Sequence, residues 1–200
     1  MKIQFGQVPL VYAVPIALAG VCVDSEPNYI TLGDVGIMGI NPALVYISTH
    51  QNHYSTGGLE ENQTFSVNFP TTNMLAETDY CGIVSGRDVD KAVLFETFYG
   101  ELKTAPMISE CPVNLECKVV KDFTIEHRHI FIGEVRQAYV EETFIEEKDG
   151  RKVIADLTRL DPILYALDNR YYRIGEPIGK GYSEGRKIQL PNRHEKKSLD

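Results

Sequence analysis

Residues 44–69 read LVYISTHQNHYSTGGLEENQTFSVNF, and this stretch decides the fold. It opens with the apolar, β-branched run 44–47 and closes with residues 65–69, where Phe65, Val67 and Phe69 alternate with polar residues. Both patterns are typical of β-strands. Between them lie a polar loop, then Gly57 and Gly58, then residues 59–63, enough for one or two helical turns. The stretch therefore predicts strand, loop, short helix and strand.

The loop at residues 48–56 (STHQNHYST) concentrates hydroxyl, imidazole and amide groups immediately before the predicted helix. The start of a helix exposes unpaired backbone N–H groups and a partial positive charge. Together these features suit a phosphate group. Serine and threonine are also ordinary helix caps, and on local chemistry alone capping is the commoner role.

Composition indicates one globular domain. The chain has 200 residues, of which 43% are hydrophobic and 24% charged, and this length can bury a sizeable core. We expect a domain over residues 1–185 and a locally basic tail over 186–200, mobile or packed against a partner. The formal net charge of −8 argues against a nucleic-acid binder.

Several features argue for a location in the cytoplasm. The four cysteines show no CxxC spacing, so we expect reduced and partly buried thiols rather than a disulfide framework. The first residues lack the charged-then-apolar pattern of a signal peptide. The apolar run 8–23 is short for a membrane span and is interrupted by Pro15.

The rest of the chain predicts a mainly β protein with a few short helices. The clearest strand is 129–140, where Phe131, Gly133 and Val135 alternate with residues of the other face. Residues 71–80 are predicted to be helical, and residues 91–98 are predicted to form an amphipathic helix or a partial helix. Many short strands with frequent glycine, proline and asparagine turns favour a closed antiparallel barrel. No GxGxxG motif follows a strand, so a Rossmann dinucleotide site is not supported.

The order of several short segments resembles a known family. These segments are NYITL at 28–32, NPALV at 41–45, the loop 48–56, FSVN at 65–68, residues 85–91 and HIFIGEV at 129–135. Over residues 9–175 the chain is similar to the flavin reductase-like family with the FMN-binding split barrel, in particular its flavoredoxin-like branch. The resemblance implies a six-stranded antiparallel split β-barrel, a homodimer, and one FMN per subunit near the dimer interface.

The resemblance also implies which residues bind the cofactor. The isoalloxazine ring would meet Asn28, Ile30, Thr31, Leu32 and Gly33. The phosphate and ribityl chain would meet Ser48, His50, His53, Tyr54, Ser55 and Thr56, and Ser85, Gly86 and Lys91 would lie beside the phosphate or an incoming nicotinamide cofactor. His129 would sit near the open face of the ring, and Tyr171 or Tyr172 would cover part of it. His50 and His53 stand where related reductases commonly have arginine, which implies weaker or pH-dependent charge compensation of the phosphate.

Each of these residues also has a structural interpretation. Lys91 opens a predicted amphipathic helix and would ordinarily be solvated. His127 and His129 share a strand face and suggest a metal site, but zinc needs at least three ligands and no third is evident. The tyrosine pair suits core or interface packing as well as flavin stacking. Cys81 near the Ser85 turn could be redox-active, although a buried structural thiol is the commoner case.

The predicted function is that of an FMN-binding oxidoreductase that transfers electrons from NAD(P)H through flavin to free flavin or a protein acceptor. One alternative is a flavoredoxin-type electron carrier without its own NAD(P)H site, reduced by a protein donor. Another is a non-catalytic split-barrel interaction module. Flavin itself carries the electrons, so no residue is predicted to act as a nucleophile and no metal is expected. No nucleic acid or membrane partner is predicted.

Overall fold

The computed structural model describes residues 1–154 and 156–188. The strands, in chain order, are β1 (Val14–Pro15), β2 (Ala17–Val23), β3 (Glu26–Leu32), β4 (Val35–Gly39), β5 (Leu44–His50), β6 (Thr64–Phe69), β7 (Thr97–Phe98), β8 (Met107–Ile108), β9 (Val113–Ile125), β10 (Arg128–Val140), β11 (Ile145–Lys148), β12 (Arg151–Ile154), β13 (Ile163–Ala166) and β14 (Arg170–Arg173). The α-helices are α1 (Tyr54–Asn62), α2 (Leu75–Ile83) and α3 (Leu157–Leu160), and short 3₁₀ turns lie at Thr72–Met74, Ala92–Leu94, Glu142–Phe144 and Glu184–Lys187.

One antiparallel sheet of seven strands, in the order β3-β2-β6-β9-β10-β5-β4, forms the body of the protein. Its two end strands, β3 and β4, are separated in the chain only by Gly33 and Asp34. Three Cα–Cα steps span at most about 11 Å, so the sheet must curl until its ends meet. The mainly β class with few short helices is confirmed, but the main sheet has seven strands where six were predicted.

The interior of the curled sheet is a continuous apolar core. Its fully buried members include Val21, Ile47, Phe65, Val67 and Phe131. They come from four different strands because alternate residues of each strand point inward. The predicted alternation at Phe65 and Val67 and at Phe131 is therefore confirmed.

A second, smaller core lies outside the barrel. Leu18, Tyr29, Met74, Ile108 and two buried cysteines form it between the sheet and α2. Its polar anchor is Asn68, which is fully buried. The Asn68 amide donates to Leu18 O and Ser66 Oγ at 2.8 Å, and its oxygen accepts from Ile108 N at 3.1 Å and Asn114 Nδ2 at 2.8 Å. This side chain thus ties three segments together.

Helix α1 begins earlier than the sequence predicted. Strand β5 continues through His50, a turn occupies residues 51–53, and α1 runs from Tyr54 with both glycines inside it. Packing explains this, because Gly58 is buried against the Cys22 carbonyl of β2, a contact that only a residue without Cβ permits. The polar loop is correspondingly shorter than predicted.

Other boundaries also differ. Residues 91–98 form one 3₁₀ turn followed by β7 rather than a helix, and the predicted helix at 71–80 is a 3₁₀ turn followed by α2. The apolar run interrupted by Pro15 forms two strands, β1 and β2, and β1 is an edge strand, where proline is tolerated. All four cysteines are buried free thiols. Of the predicted tail, residues 189–200 lie outside the described residues.

No α-helix in the described ranges is long and apolar enough to span a membrane. In the same ranges, no group of three or more histidine, cysteine, aspartate or glutamate side chains is placed to hold a metal ion. His127 and His129 do not converge: His127 stacks on His50 at the end of the hairpin, with ring centroids 6.0 Å apart.

Candidate functional site

The N-terminus of helix α1 opens into a cleft between β3 and the loop that follows α2. His53 precedes the first turn with an extended backbone, and no side chain caps the helix. The first backbone N–H groups of an α-helix have no partner within the helix. An uncapped start therefore leaves both hydrogen-bond donors and the positive end of the helix dipole for a ligand.

Lys91 is the cation of this cleft, and it is not a solvated residue. Its side chain is only 3% exposed, and its ammonium donates to Cys81 O and Val84 O, each at 3.2 Å. These carbonyls close the C-terminus of α2, where a cation is favourable. An ammonium has three N–H donors, so one is left for a ligand. Burial lowers the pKa of Lys91 from its usual value.

A central cavity of about 340 Å³ brings half of the predicted cofactor residues together. Its lining comes from β3, the start of α1, the end of α2 and the following loop. The predicted residues in it are Ile30, Thr31, His53, Tyr54, Ser55, Ser85, Gly86 and Lys91. Three segments that are distant from one another in the sequence thus meet at one site.

The hydroxyl and imidazole groups of the central cavity are set as hydrogen-bond donors. Ser55 Oγ accepts from Asn28 Nδ2 at 2.7 Å, and Ser85 Oγ accepts from Arg87 N at 3.2 Å. His53 Nδ1 accepts from His50 N at 3.4 Å, which leaves Nε2 to carry the proton. Each of these side chains accepts a hydrogen bond from the protein and keeps an O–H or N–H with which it can donate to a ligand. A lining of donors suits an anion.

A larger cavity of about 620 Å³ adjoins the central one at Thr31, Gly82 and Ile83. We call it the tyrosine cavity because Tyr46, Tyr165 and Tyr171 line it together with predicted residue Gly33. Tyr171 donates to Asp79 Oδ1 at 2.6 Å. Burial and this hydrogen bond raise the pKa of Tyr171. Thr31 is held by its hydroxyl, which donates to Thr78 O.

A third cavity of about 380 Å³ lies on the other side of the loop at Gly86. Asn28, the remaining predicted residue near the cleft, lines it. A Cβ at Gly86 would lie 2.7 Å from Tyr54 Cδ1 and closer still to the Asn28 amide oxygen. The loop therefore packs directly on β3 and α1 and forms the wall of the central cavity.

Five predicted residues lie outside these three cavities: Leu32, Ser48, His50, Thr56 and His129. Leu32 belongs to the barrel core, and Thr56 is bonded to Thr49 Oγ1 at 2.8 Å and to His50 O. Ser48 accepts from Arg128 Nε at 3.1 Å. The predicted place of His129 at the open flavin face is not what the fold shows, because its ring is buried between Glu60 and Asp122. It lies on the same strand face as Phe131, which points into the core.

Arg128 is a residue near the site that the sequence patterns do not single out. Its guanidinium binds Asp34 of the tyrosine cavity and Ser48 O, the latter at 2.8 Å. Together with burial and His50, Arg128 lowers the pKa of His53. Arg128 is the first residue of β10 and pairs with His50 of β5. The sequence does not show that Arg128 and His50 are neighbours, because the two positions are 78 residues apart and only the strand register brings them together.

Cys81 lines the central cavity, but its environment keeps it as a thiol. Burial raises the pKa of Cys81 to about 11, against the opposing effect of Lys91. A thiol with that pKa is protonated near neutral pH and is a poor nucleophile.

Comparison with known proteins identifies the family. A sequence model of the flavin reductase like domain matches residues 10–175, most of the chain. The chain belongs to the flavin reductase-like family. The resemblance read from the sequence, which covered residues 9–175, is thereby confirmed.

Two solved structures of high similarity are flavoredoxins. The chain is 40% identical to flavoredoxin from Methanosarcina acetivorans, with a TM-score of 0.88 over 94% of this chain and 100% of that one. It is 31% identical to flavoredoxin of Desulfovibrio vulgaris (Miyazaki F), with a TM-score of 0.83 over 92% of this chain and 100% of that one. An FMN-binding protein from Thermus thermophilus, 24% identical with a TM-score of 0.74, covers 90% of this chain and 99% of its own and shares the fold.

Proposed function

We propose that the central cavity binds the phosphate of FMN and that the protein is an FMN-dependent oxidoreductase. One observation carries this: Ser55, Ser85, His53, the third N–H of Lys91 and the uncapped start of α1 all present donors to one cavity. Family membership and the similarity to two flavoredoxins support the choice of flavin.

The rest of the cofactor fits the border between the central and tyrosine cavities. Thr31 of β3 and Gly82 and Ile83 of α2 lie at that border and offer a partly apolar surface. Tyr46, Tyr165 and Tyr171 extend the apolar lining, which suits a planar ring system. Bound flavin would supply the two-electron chemistry, accepting hydride and passing electrons on. The protein's part is to bind, orient and partly shield the ring.

Binding of FMN by the purified apoprotein tests the proposal. Loss of a hydrogen bond to a charged group costs about 1.5–3 kcal/mol, so Ser55→Ala and Ser85→Ala should each weaken FMN affinity at least tenfold. Fluorescence quenching of FMN gives the dissociation constants. Ser109→Ala, an exposed serine outside the three cavities, is the matched control. Unchanged affinity in both cavity variants would refute the phosphate site.

NAD(P)H is the proposed electron donor, with free flavin or a protein as acceptor. Steady-state oxidation of NADH and NADPH by the FMN-loaded protein tests this step. Negligible turnover together with retained FMN would instead establish the second candidate, an electron carrier reduced by a partner protein. The similarity to two proteins called flavoredoxin favours keeping that candidate. Failure to retain FMN would leave the third, an interaction module.

We also propose that the protein is a homodimer. The outer face of the sheet carries a contiguous apolar patch of Tyr46, Phe123, Ile130 and Ile132, which are cross-strand neighbours. Outer faces of antiparallel sheets are normally polar, so such a patch marks an interface. Tyr46 also lines the tyrosine cavity, so a second copy seated here would lie beside the cleft. Ile132→Lys should convert the dimer to a monomer in light scattering, whereas exposed Val153→Lys should not.

A further inference from the structure

A buried histidine joins helix α1 to the sheet. His129 Nδ1 lies 3.0 Å from Glu60 Oε1 of α1, and His129 Nε2 lies 3.1 Å from Asp122 Oδ1 of β9. Its ring stacks on Phe131, with centroids 4.1 Å apart, and its side chain is only 9% exposed. Both ring nitrogens therefore lie within salt-bridge distance of a carboxylate, and the contact to Asp122 is also a hydrogen bond.

Only the imidazolium form satisfies both contacts. Neutral imidazole has one N–H donor and one acceptor, while the cation has two donors. No lysine or arginine of the described chain lies within salt-bridge distance of Glu60 or Asp122, so His129 is their cation there. From β5, the residue paired with His129 is Thr49, which is neutral and bonded to Thr56. If His129 loses one proton, the lone pair of the unprotonated ring nitrogen therefore faces a carboxylate.

The other contacts that hold α1 do not titrate. Asn28 binds Ser55 and Thr49 binds Thr56 near the helix start. Gly58 packs on the Cys22 carbonyl, and Asn62 Nδ2 donates to Cys22 O at 3.0 Å near the helix end. The Glu60–His129 contact lies between these two sets of anchors. Among the anchors named here, it alone includes a histidine, the side-chain type whose charge most often changes near neutral pH.

We propose that Glu60, His129 and Asp122 form a proton-dependent clamp that positions helix α1. When His129 is protonated, the clamp holds α1 and its N-terminal donors in place. When His129 loses a proton, Glu60, which has the more exposed carboxylate of the two, is released. His129 is thus a positioning residue, and the affinity for the ligand at the start of α1 falls as pH rises. The ligand part of this proposal rests on the proposed FMN site.

Glu60→Gln separates the clamp from every other pH effect. The glutamine amide can donate to an unprotonated Nδ1 while Nε2–H still donates to Asp122, so the neutral histidine keeps both contacts. The dissociation constant of FMN should be measured at about pH 6 and about pH 8.5, on either side of the ordinary pKa of histidine. Titration of the phosphate and of His53 is common to all variants and cancels when variants are compared.

In the native protein, the ratio of the FMN dissociation constants at high and low pH should exceed the ratio in Glu60→Gln about fivefold, at the lower end of measured couplings between sites. His129→Phe should bind FMN weakly at both pH values, and the matched control His127→Gln, in the neighbouring turn, should behave as the native protein. Equal ratios in the native protein and Glu60→Gln would overturn the clamp.

Amide hydrogen exchange of the apoprotein tests the clamp without FMN. Residues 54–62 should exchange several-fold faster at high pH than the intrinsic pH dependence of exchange predicts, and Glu60→Gln should abolish this excess. An equal excess in both proteins would refute the clamp even if FMN binds. Normal clamp behaviour without FMN binding would refute the proposed function instead.

Discussion

The adjacent glycines Gly57 and Gly58 should respond to alanine with opposite signs. Gly57 is exposed, and a Cβ added there meets no atom within 4 Å. Gly58 is buried, and a Cβ there would lie 2.9 Å from Val23 Cγ2 and 3.0 Å from the Cys22 carbonyl carbon, and closer still to its oxygen. Carbon atoms normally approach to about 3.5–4.0 Å and the carbonyl oxygen is closer still, so α1 would have to move away from β2 by at least roughly 1 Å.

The magnitudes follow from these contacts. Replacing glycine by alanine inside a helix stabilises by about 0.5–1 kcal/mol, and this is the whole effect expected at Gly57. Overpacking costs about 1–3 kcal/mol, so Gly58→Ala should lose about 1–2 kcal/mol net, because alanine still favours the helix. For a domain of this size, 1 kcal/mol shifts Tm by about 2–4 °C. Gly57→Ala should raise Tm by a few degrees and Gly58→Ala should lower it.

Calorimetry and urea unfolding measure both variants against the native protein. Gly58→Ala should also weaken FMN binding, because moving α1 displaces the donors at its start, while Gly57→Ala should leave the FMN dissociation constant unchanged. Shifts of the same sign in the two variants, or a neutral Gly58→Ala, would refute the packing of α1 on β2.

Three further predictions concern buried polar groups. Lys91→Met should weaken FMN binding at least tenfold by fluorescence titration, since it removes a charge-assisted hydrogen bond worth about 1.5–3 kcal/mol, whereas Lys103→Met, an exposed lysine, should not change it. Asn68→Leu should destabilise by at least about 3 kcal/mol in urea unfolding, because it orphans buried donors and acceptors that cost about 1–3 kcal/mol each; a cost below 1 kcal/mol would contradict the network. The pKa of His53 is lowered in the folded protein, so the unfolded chain binds more protons and stability falls as pH drops through the ordinary histidine range. His53→Gln should flatten this acid-side loss in urea midpoints measured across that range, and an unchanged profile would refute it.

Local sequence patterns predicted the strands well because the alternation of a strand depends only on neighbouring residues. The alternation at Phe65 and Val67, and again along β10, follows directly from a two-residue repeat in which alternate residues face the barrel core. The same alternation places His129 on the face of Phe131, so its burial away from the cleft was implicit in the pattern. The cofactor role assigned to it came from the family resemblance rather than from this periodicity.

The start of α1 could not be predicted from its own residues. Two adjacent glycines ordinarily weaken a helix, so the local sequence favours a helix that begins after Gly58. The helix forms because Gly58 allows close contact with the Cys22 carbonyl, and that information resides in β2. Lys91 is a similar case. From the sequence it looks like a solvated lysine at the start of a helix, but its side chain donates to the carbonyl groups at the end of α2, and the local sequence does not show these partners. Arg128 reaches the cleft only through the register of β10 on β5.

Strand β10 has a consequence for synthesis of the chain on the ribosome. It pairs with β9 on one side and β5 on the other, so without it the sheet separates into β3-β2-β6-β9 and β5-β4. The residues of the central cavity, 30–91, are all made before residue 128. A nascent chain therefore carries every lining residue of that cavity long before the sheet that positions them can close. We expect acquisition of FMN to wait until β10 has left the exit tunnel.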